Sequence, residues 1–341
     1  FDIAIEEDLI EEVARLHGYD NIPAPAPRAS LAMMPLPEAR RLPMQVRRLL
    51  AERGYHEVVT YSFVDAAWEA DFAGNGAPIV LANPIASQMA VMRSSLIAGL
   101  ADVLATNRKR QNERVRVFEI GRCFSRDGAD ASAGGFAQPV RLAGLLAGTV
   151  VPEQWGSPAR NVDFFDAKGD LEALFAPRRP TFERASHPAL HPGRAATVFL
   201  DGKAVGVVGE LHPQWVQKYE LGPAPSVFEI ELEALLAALM PTFAEVSRLP
   251  AVVRDIALVV RQEQAFQPLL DGLRAVAPAI VREIALFDLY QGKGLQPGQK
   301  SLAFRVVMQD TERTLADAEI DAAVATLVNA AVRGFDAALR A

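Results

Sequence analysis

Four carboxylates near the start of the chain, Asp2, Asp8, Glu11 and Glu12, have the spacing of an oxygen-ligand set. Asp8, Glu11 and Glu12 stand three and four residues apart, which on a helix puts them along one side beside its apolar stripe. Asp2 lies one short segment upstream. Oxygen ligands that leave room for water suit Mg²⁺. The same residues also describe a solvated acidic face on a helix whose N-terminal end favours negative charge. Three histidines, His187, His191 and His212, make a zinc set by number alone. Each precedes a proline, and Pro188 interrupts the four-residue spacing of His187 and His191, so they read as turn residues. No Ser or Cys stands in a nucleophile elbow, and Cys123, beside Phe124 on an apolar strand, reads as core.

The elements that would position these groups follow from periodicity. Ile5, Leu9, Val13 and Leu16 predict a helix over Ile5–His17, ended by Gly18. Pro23, Pro25, Pro27, Pro35 and Pro37 predict an extended linker. Residues 1–23 then read as the remnant of a preceding helical domain, 24–39 as the link, and 40–241 as a core. Core helices are expected at Glu38–Arg53, Ser94–Gln111, Asp166–Phe175 and Pro213–Tyr219. Core strands are expected at His56–Phe63, Arg114–Phe124, Val140–Gly148, Ala195–Leu200, Ala204–Glu210 and Ser226–Ile230. Strands in such quick succession predict a mostly antiparallel sheet covered on one side. Over 243–341 the order is strand, helix, strand, strand, helix, with a short last strand around Phe335–Leu339. That is the order of a ferredoxin-like βαββαβ unit, and the fold class is α+β.

Composition narrows the field. The chain has 341 residues, half of them hydrophobic, enough for two ordinary cores and part of a third. A net charge of −7 argues against a generally basic nucleic-acid coat and confines any RNA contact to local patches. The single cysteine excludes an internal disulfide and a multi-Cys metal site, and fits a reducing cytoplasm. The longest apolar run, Leu142–Pro152, is well short of the roughly 20 residues of a membrane helix. The chain opens Phe1-Asp2-Ile3 without an initiator Met and reads as a piece of a longer protein.

Four phrases near the end stand in a specific order: Arg254-Asp255-Ile256-Ala257-Leu258-Val259-Val260, Leu286-Phe287-Asp288-Leu289-Tyr290-Gln291-Gly292, Lys300-Ser301-Leu302-Ala303-Phe304-Arg305-Val306, and Arg313-Thr314-Leu315. Together they resemble the anticodon-binding domain that ends the beta subunit of bacterial phenylalanyl-tRNA synthetase. The first helix, followed by Gly18-Tyr19-Asp20-Asn21-Ile22-Pro23, is similar to the segment just before that subunit's synthetase-like core. A long helix feeding Val115-Arg116-Val117-Phe118-Glu119-Ile120-Gly121-Arg122 is similar to the second motif region of class II aminoacyl-tRNA synthetases, where an Arg and a carboxylate hold ATP and amino acid. A working site of that class also needs a Gly-x-Gly-x-Gly-x-x-Arg segment to grip the triphosphate, and the chain has none. Gly202, Gly206 and Gly209 come closest, but they sit in a hairpin turn and the strand after it. Arg93, Glu119 and Arg122 are therefore expected to be structural, with an ion pair at the end of a buried strand.

The resemblance implies a class II aminoacyl-tRNA synthetase-like antiparallel sheet core, non-catalytic, followed by a ferredoxin-like anticodon-binding domain. It implies the C-terminal portion of a beta subunit that scaffolds a catalytic alpha subunit and binds tRNA(Phe) for ATP-dependent aminoacylation. The assembly would hold two alpha and two beta chains, in the cytoplasm and with no membrane partner. The family's editing and N-terminal tRNA-binding regions are expected to lie outside this sequence. Asp2, Asp8, Glu11 and Glu12 would bind Mg²⁺ shared with the alpha subunit, and ATP would be used by the assembled enzyme. For tRNA, the terminal domain offers Arg254, Lys293, Lys300, Arg305, Arg313 and Arg340 among Phe287, Tyr290 and Phe304. Glu245–Ala341 holds 11 basic and 12 acidic residues, so contact should be local. Alternation along Leu302, Phe304 and Val306 turns Phe304 inward, which leaves Arg254, Tyr290, Lys300 and Arg313, at strand ends and turns, as the expected contacts. The rival is an active ligase core carrying a ferredoxin-like small-molecule regulatory module.

Overall fold

Val117 and Phe118 are neighbours on one strand yet belong to different hydrophobic cores, an alternation that organises the larger part of the chain. The computed structural model describes residues 3–26, 29–30, 37–126, 135–243 and 245–340, divided into the units Phe1–Pro37 and Glu38–Ala341. The first unit carries helix α1 (Glu6–His17), which buries none of its residues. Gly18, at φ 90°, ends it with its N–H 2.9 Å from the Ala14 carbonyl.

The second unit opens with α2 (Pro43–Glu52), whose first residue is Pro43, a position where its missing N–H costs nothing. Then come β1 (His56–Glu57), β2 (Phe63–Val64), α3 (Ala66–Trp68) running on into a π-helical turn Glu69–Ala73, β3 (Val91–Met92) and α4 (Ile97–Lys109). β4 (Val115–Arg122), β5 (Ser125–Arg126), β6 (Phe136–Ala137) and β7 (Val140–Ala147) follow. After α5 (Phe164–Phe175) lie β8 (Thr181–Arg184), β9 (Leu190–Leu200), β10 (Lys203–Leu211), α6 (Pro213–Lys218), β11 (Ser226–Glu231) and α7 (Leu232–Leu236).

Seven of these strands form one sheet in the order β1-β4-β7-β11-β10-β9-β8, parallel at β1–β4 and antiparallel elsewhere. The expectation of a sheet covered on one side is corrected: both faces are covered. Phe118, Leu142, Leu146, Phe228 and Ile230 pack with residues of α2, α5 and α7, whereas Val117, Ala143, Leu145 and Val227 pack with α4. The cause is legible afterwards, since β4, β7 and β11 are apolar at both parities, the pattern of two-sided burial.

The expected strand His56–Phe63 is also corrected. Only His56 and Glu57 pair with β4; the chain then turns away, and Phe63–Val64 pairs with β3 instead. The helix expected from Ser94 starts at Ile97, because the Ser94 and Leu96 amides are committed to the carboxylates of Glu69 and Glu229.

The terminal part contains β12 (Val252–Arg261), α8 (Phe266–Val276), β13 (Val281–Tyr290), β14 (Gln299–Met308), α9 (Asp317–Phe335) and β15 (Ala338–Leu339). Its antiparallel sheet has the order β13-β14-β12-β15. Ile256, Leu258, Leu302, Phe304 and Val306 pack with Leu269 and Leu273 of α8 and Leu327 of α9 in a third core. The βαββαβ order and the inward Phe304 agree with the sequence expectation. The other face of this sheet is not covered by those helices. Among the described residues no helix is long and apolar enough to cross a membrane.

Candidate functional site

On α1, Asp8 sits at the third helical position, and its Oδ2 accepts the amides of Ala4 at 2.7 Å and Ile5 at 3.0 Å. Those two backbone bonds hold its carboxyl below the usual carboxylate range. Glu12 pairs with Arg15, which lowers its pKa in the same way. Asp2 lies outside the described residues. Among the described residues no three His, Cys, Asp or Glu side chains come close enough to hold a metal ion. Asp8, Glu11 and Glu12 thus share a helix side without converging on one point.

The core's charged residues are inward. Arg93 and Glu119 pair at 2.8 Å, each side chain 3% exposed. Thr60 accepts from Arg93 Nη1 at 2.9 Å and donates to Glu119 at 2.7 Å, and Arg93 Nε donates to the Arg122 carbonyl at 3.0 Å. A Cβ on Gly121 would overlap the Arg93 guanidinium, so glycine there makes room for the pair. Arg122 turns outward and reaches the Gln138 carbonyl. The expected structural ion pair is present.

Behind it lies a second polar group that sequence reasoning missed. Glu229 on β11 accepts from Ser95 Oγ at 2.9 Å, Leu96 N at 2.6 Å and Arg141 Nη1 at 2.6 Å. Glu229, Ser95 and Arg141, with Cys123, Ser125 and His187, line a cleft of about 200 Å³. Burial raises the Cys123 thiol to about 12, so it stays protonated. The available signal was an acid flanked by the apolar Phe228 and Ile230 inside β11.

The histidines share one device. Nδ1 of His187, His191 and His212 accepts the amide two residues on, from Ala189 at 3.2 Å, Gly193 at 2.9 Å and Gln214 at 3.1 Å. Each imidazole closes a His-Pro turn, which accounts for all three without a metal.

The four expected tRNA contacts do not share one surface. Tyr290 lies opposite Ser301 on the open face of the terminal sheet, and its hydroxyl donates to the Lys293 carbonyl at 3.0 Å. Arg254 and Lys300 stand opposite Val306 and Val260, buried residues of the helix-covered face. Lys300 Nζ donates to the Gln264 carbonyl at 2.7 Å, and desolvation lowers its pKa. Arg313 forks onto Glu319 at 2.7 and 2.5 Å and brings that carboxyl down to about 2.

What the open face does gather is a pair of aromatic–guanidinium stacks. Arg340 lies 4.5 Å from the Tyr290 ring centre, and Arg305 lies 4.8 Å from that of Phe287. Ala257, Val259, Ser301 and Ala303 form a small-residue floor on the same parity. Arg305 and Arg340 were visible among the basic residues of the sequence but carried no positional signal.

Comparison with known proteins places this arrangement. Residues 247–340 match the ferredoxin-fold anticodon binding domain, which gives the class of the terminal module. Residues 22–232 match the phenylalanyl tRNA synthetase beta chain CLM domain. The chain belongs to the phenylalanyl-tRNA synthetase beta chain family. It is 60% identical over 340 residues to the phenylalanine–tRNA ligase beta subunit of Aromatoleum aromaticum, covering all of this chain and 43% of that one. The corresponding subunit of Dechloromonas aromatica is 56% identical over 344 residues, covering 100% of this chain and 43% of that one. That of Ralstonia nicotianae is 53% identical over 354 residues, covering 100% and 44%. The chain spans less than half the length of these curated relatives.

Proposed function

We propose that this chain is the C-terminal portion of a phenylalanine–tRNA ligase beta subunit, a non-catalytic partner that supports a catalytic alpha subunit and binds tRNA(Phe) during ATP-dependent aminoacylation. Identity of 60% across the whole chain to a subunit of that name carries the proposal. The core is a class II synthetase-like sheet, a reading supported by its run of antiparallel strands with one parallel strand at the edge. Its Arg93–Glu119 pair is internal and satisfied, which favours a structural role over nucleotide binding.

The alpha subunit would meet an apolar patch of the core. Val59, Tyr61, Val80 and Ile85 are apolar and 65–90% exposed, the kind of side chain that an interface covers. Two alpha and two beta chains would form the enzyme, in the cytoplasm. ATP would be handled by the assembled enzyme and not by groups named here.

Magnesium is a narrower proposal, through Asp2, Asp8, Glu11 and Glu12. The described carboxylates do not fit Mg²⁺ by themselves, because Asp8 is occupied by two amides and Glu12 by Arg15. Binding at the boundary with the alpha subunit would need Asp8 to leave its cap and the partner to complete the coordination.

Transfer RNA would meet the terminal domain, with Tyr290 stacking a base and Arg254, Lys300 and Arg313 near phosphates. Of these, Tyr290 has the best support, since it stands on the open sheet face. The test is co-purification of the full-length beta chain with its alpha subunit, followed by tRNA(Phe) binding. Failure to assemble, or binding unaffected by Tyr290→Ala together with loss of 243–341, would overturn the proposal.

A further inference from the structure

We propose that Phe287 is a second base-stacking position on the open face of the terminal sheet, for an unpaired RNA base beside the one taken by Tyr290; this rests on the tRNA-binding reading above. Between Leu286 and Asp288 the register of β13 shifts, so that Leu286 faces Phe304, Asp288 faces Ala303, and Phe287 has no cross-strand partner. A bulge of this kind re-aims one side chain. Here it sends a phenylalanine away from a core in which its neighbour Leu286 packs, and leaves it 50% exposed.

The exposed ring is not loose. Arg305 covers it at 4.8 Å, and Asp255 holds that guanidinium through two hydrogen bonds of 3.0 Å, fixing its plane and neutralising its charge. The ring therefore has a rigid, compensated backing and a solvent side free for a π-face. Arg340 covers Tyr290 at 4.5 Å. Phe287 and Tyr290 stand three residues apart on β13, roughly 10 Å along the strand, room for two separate bases. Between them Ser301 is only 2% exposed, so bases would meet the aromatic rings and not the sheet floor itself. Stacking of this type tolerates any base, so Phe287 would add affinity more than sequence choice.

The test uses the intact complex with tRNA(Phe) carrying 2-aminopurine at successive unpaired anticodon-loop positions. Phe287→Ala is expected to weaken binding about 5- to 150-fold, with an unchanged salt slope, and to relieve fluorescence quenching at one loop position. Tyr290→Ala should relieve it at another. Phe287→Tyr, which keeps the ring, should restore both affinity and quenching, and so separates stacking from any effect on folding. If Phe287→Ala binds within twofold of the parent while Tyr290→Ala does not, the second position is wrong and the tRNA-binding reading stands. If neither substitution nor loss of 243–341 weakens binding, that reading fails with it.

Discussion

Arg93 and Glu119 lie 2.8 Å apart with Thr60 bonded to both, and water reaches neither. A buried pair of this kind is costly to break because the survivor is left charged and alone. Glu119→Gln should destabilise the chain by about 3–5 kcal/mol, and the double change Arg93→Met with Glu119→Leu by clearly less. Urea unfolding of the two variants and the parent checks this. A loss below about 1 kcal/mol for the single substitution would mean that the pair is not what holds the strand end.

Glu319 gives a pH dependence with a definite sign. Its folded-state carboxyl is lowered to about 2 by Arg313. A depressed carboxylate contributes stability above its unfolded pKa, near 4.3, and loses it as pH falls from there towards 2. Glu319→Gln should flatten the stability profile in that window and leave it unaltered near neutrality relative to its own plateau. Both groups are exposed, so added salt should shrink the difference. Thermal melts between pH 2 and 5 decide the matter.

Asp8 is predicted to matter without any metal. Replacing it by Ala removes the acceptor for two amides and should lower the helicity of α1, with or without Mg²⁺. Glu11→Gln with Glu12→Gln leaves those amides satisfied, and should weaken assembly with the alpha subunit only if the metal proposal is correct. Unchanged assembly in the double variant would remove the carboxylate set from consideration.

Loss of 243–341 should raise KM for tRNA while ATP–pyrophosphate exchange by the assembled enzyme stays near normal. Equal loss of the two activities would make the domain a support for assembly and not a tRNA contact. Within it, Arg340→Ala should reduce tRNA affinity and lower the salt slope by about one only if that guanidinium also meets a phosphate.

The terminal domain was legible because its two central strands, β12 and β14, each have one buried parity and its turns carry the right punctuation; Leu302, Phe304 and Val306 all go where alternation sends them. The core was less so. Phe118 and Val117 are both apolar, and a strand with two apolar faces says nothing about how many layers cover it. The run His56–Phe63 has strand composition throughout, yet Thr60 is drawn to a buried ion pair, a tertiary demand that propensity does not register. The candidate contacts divide in the same way. Tyr290 was placed by its position at a strand end, whereas Arg340 and Arg305 acquire significance only when the sheet brings them over Tyr290 and Phe287.

The main sheet begins with β1 and finishes with β8, of two and four residues, while its interior strands run to between six and eleven. Neither margin offers a long row of unpaired amides to an incoming strand. Among the described residues the longest edge strand is β13, ten residues, and its two register shifts spoil it as a template. Should the chain cluster when separated from its partners, the clusters would be amorphous and held by side chains, dispersed by mild detergent, and would not seed fibres.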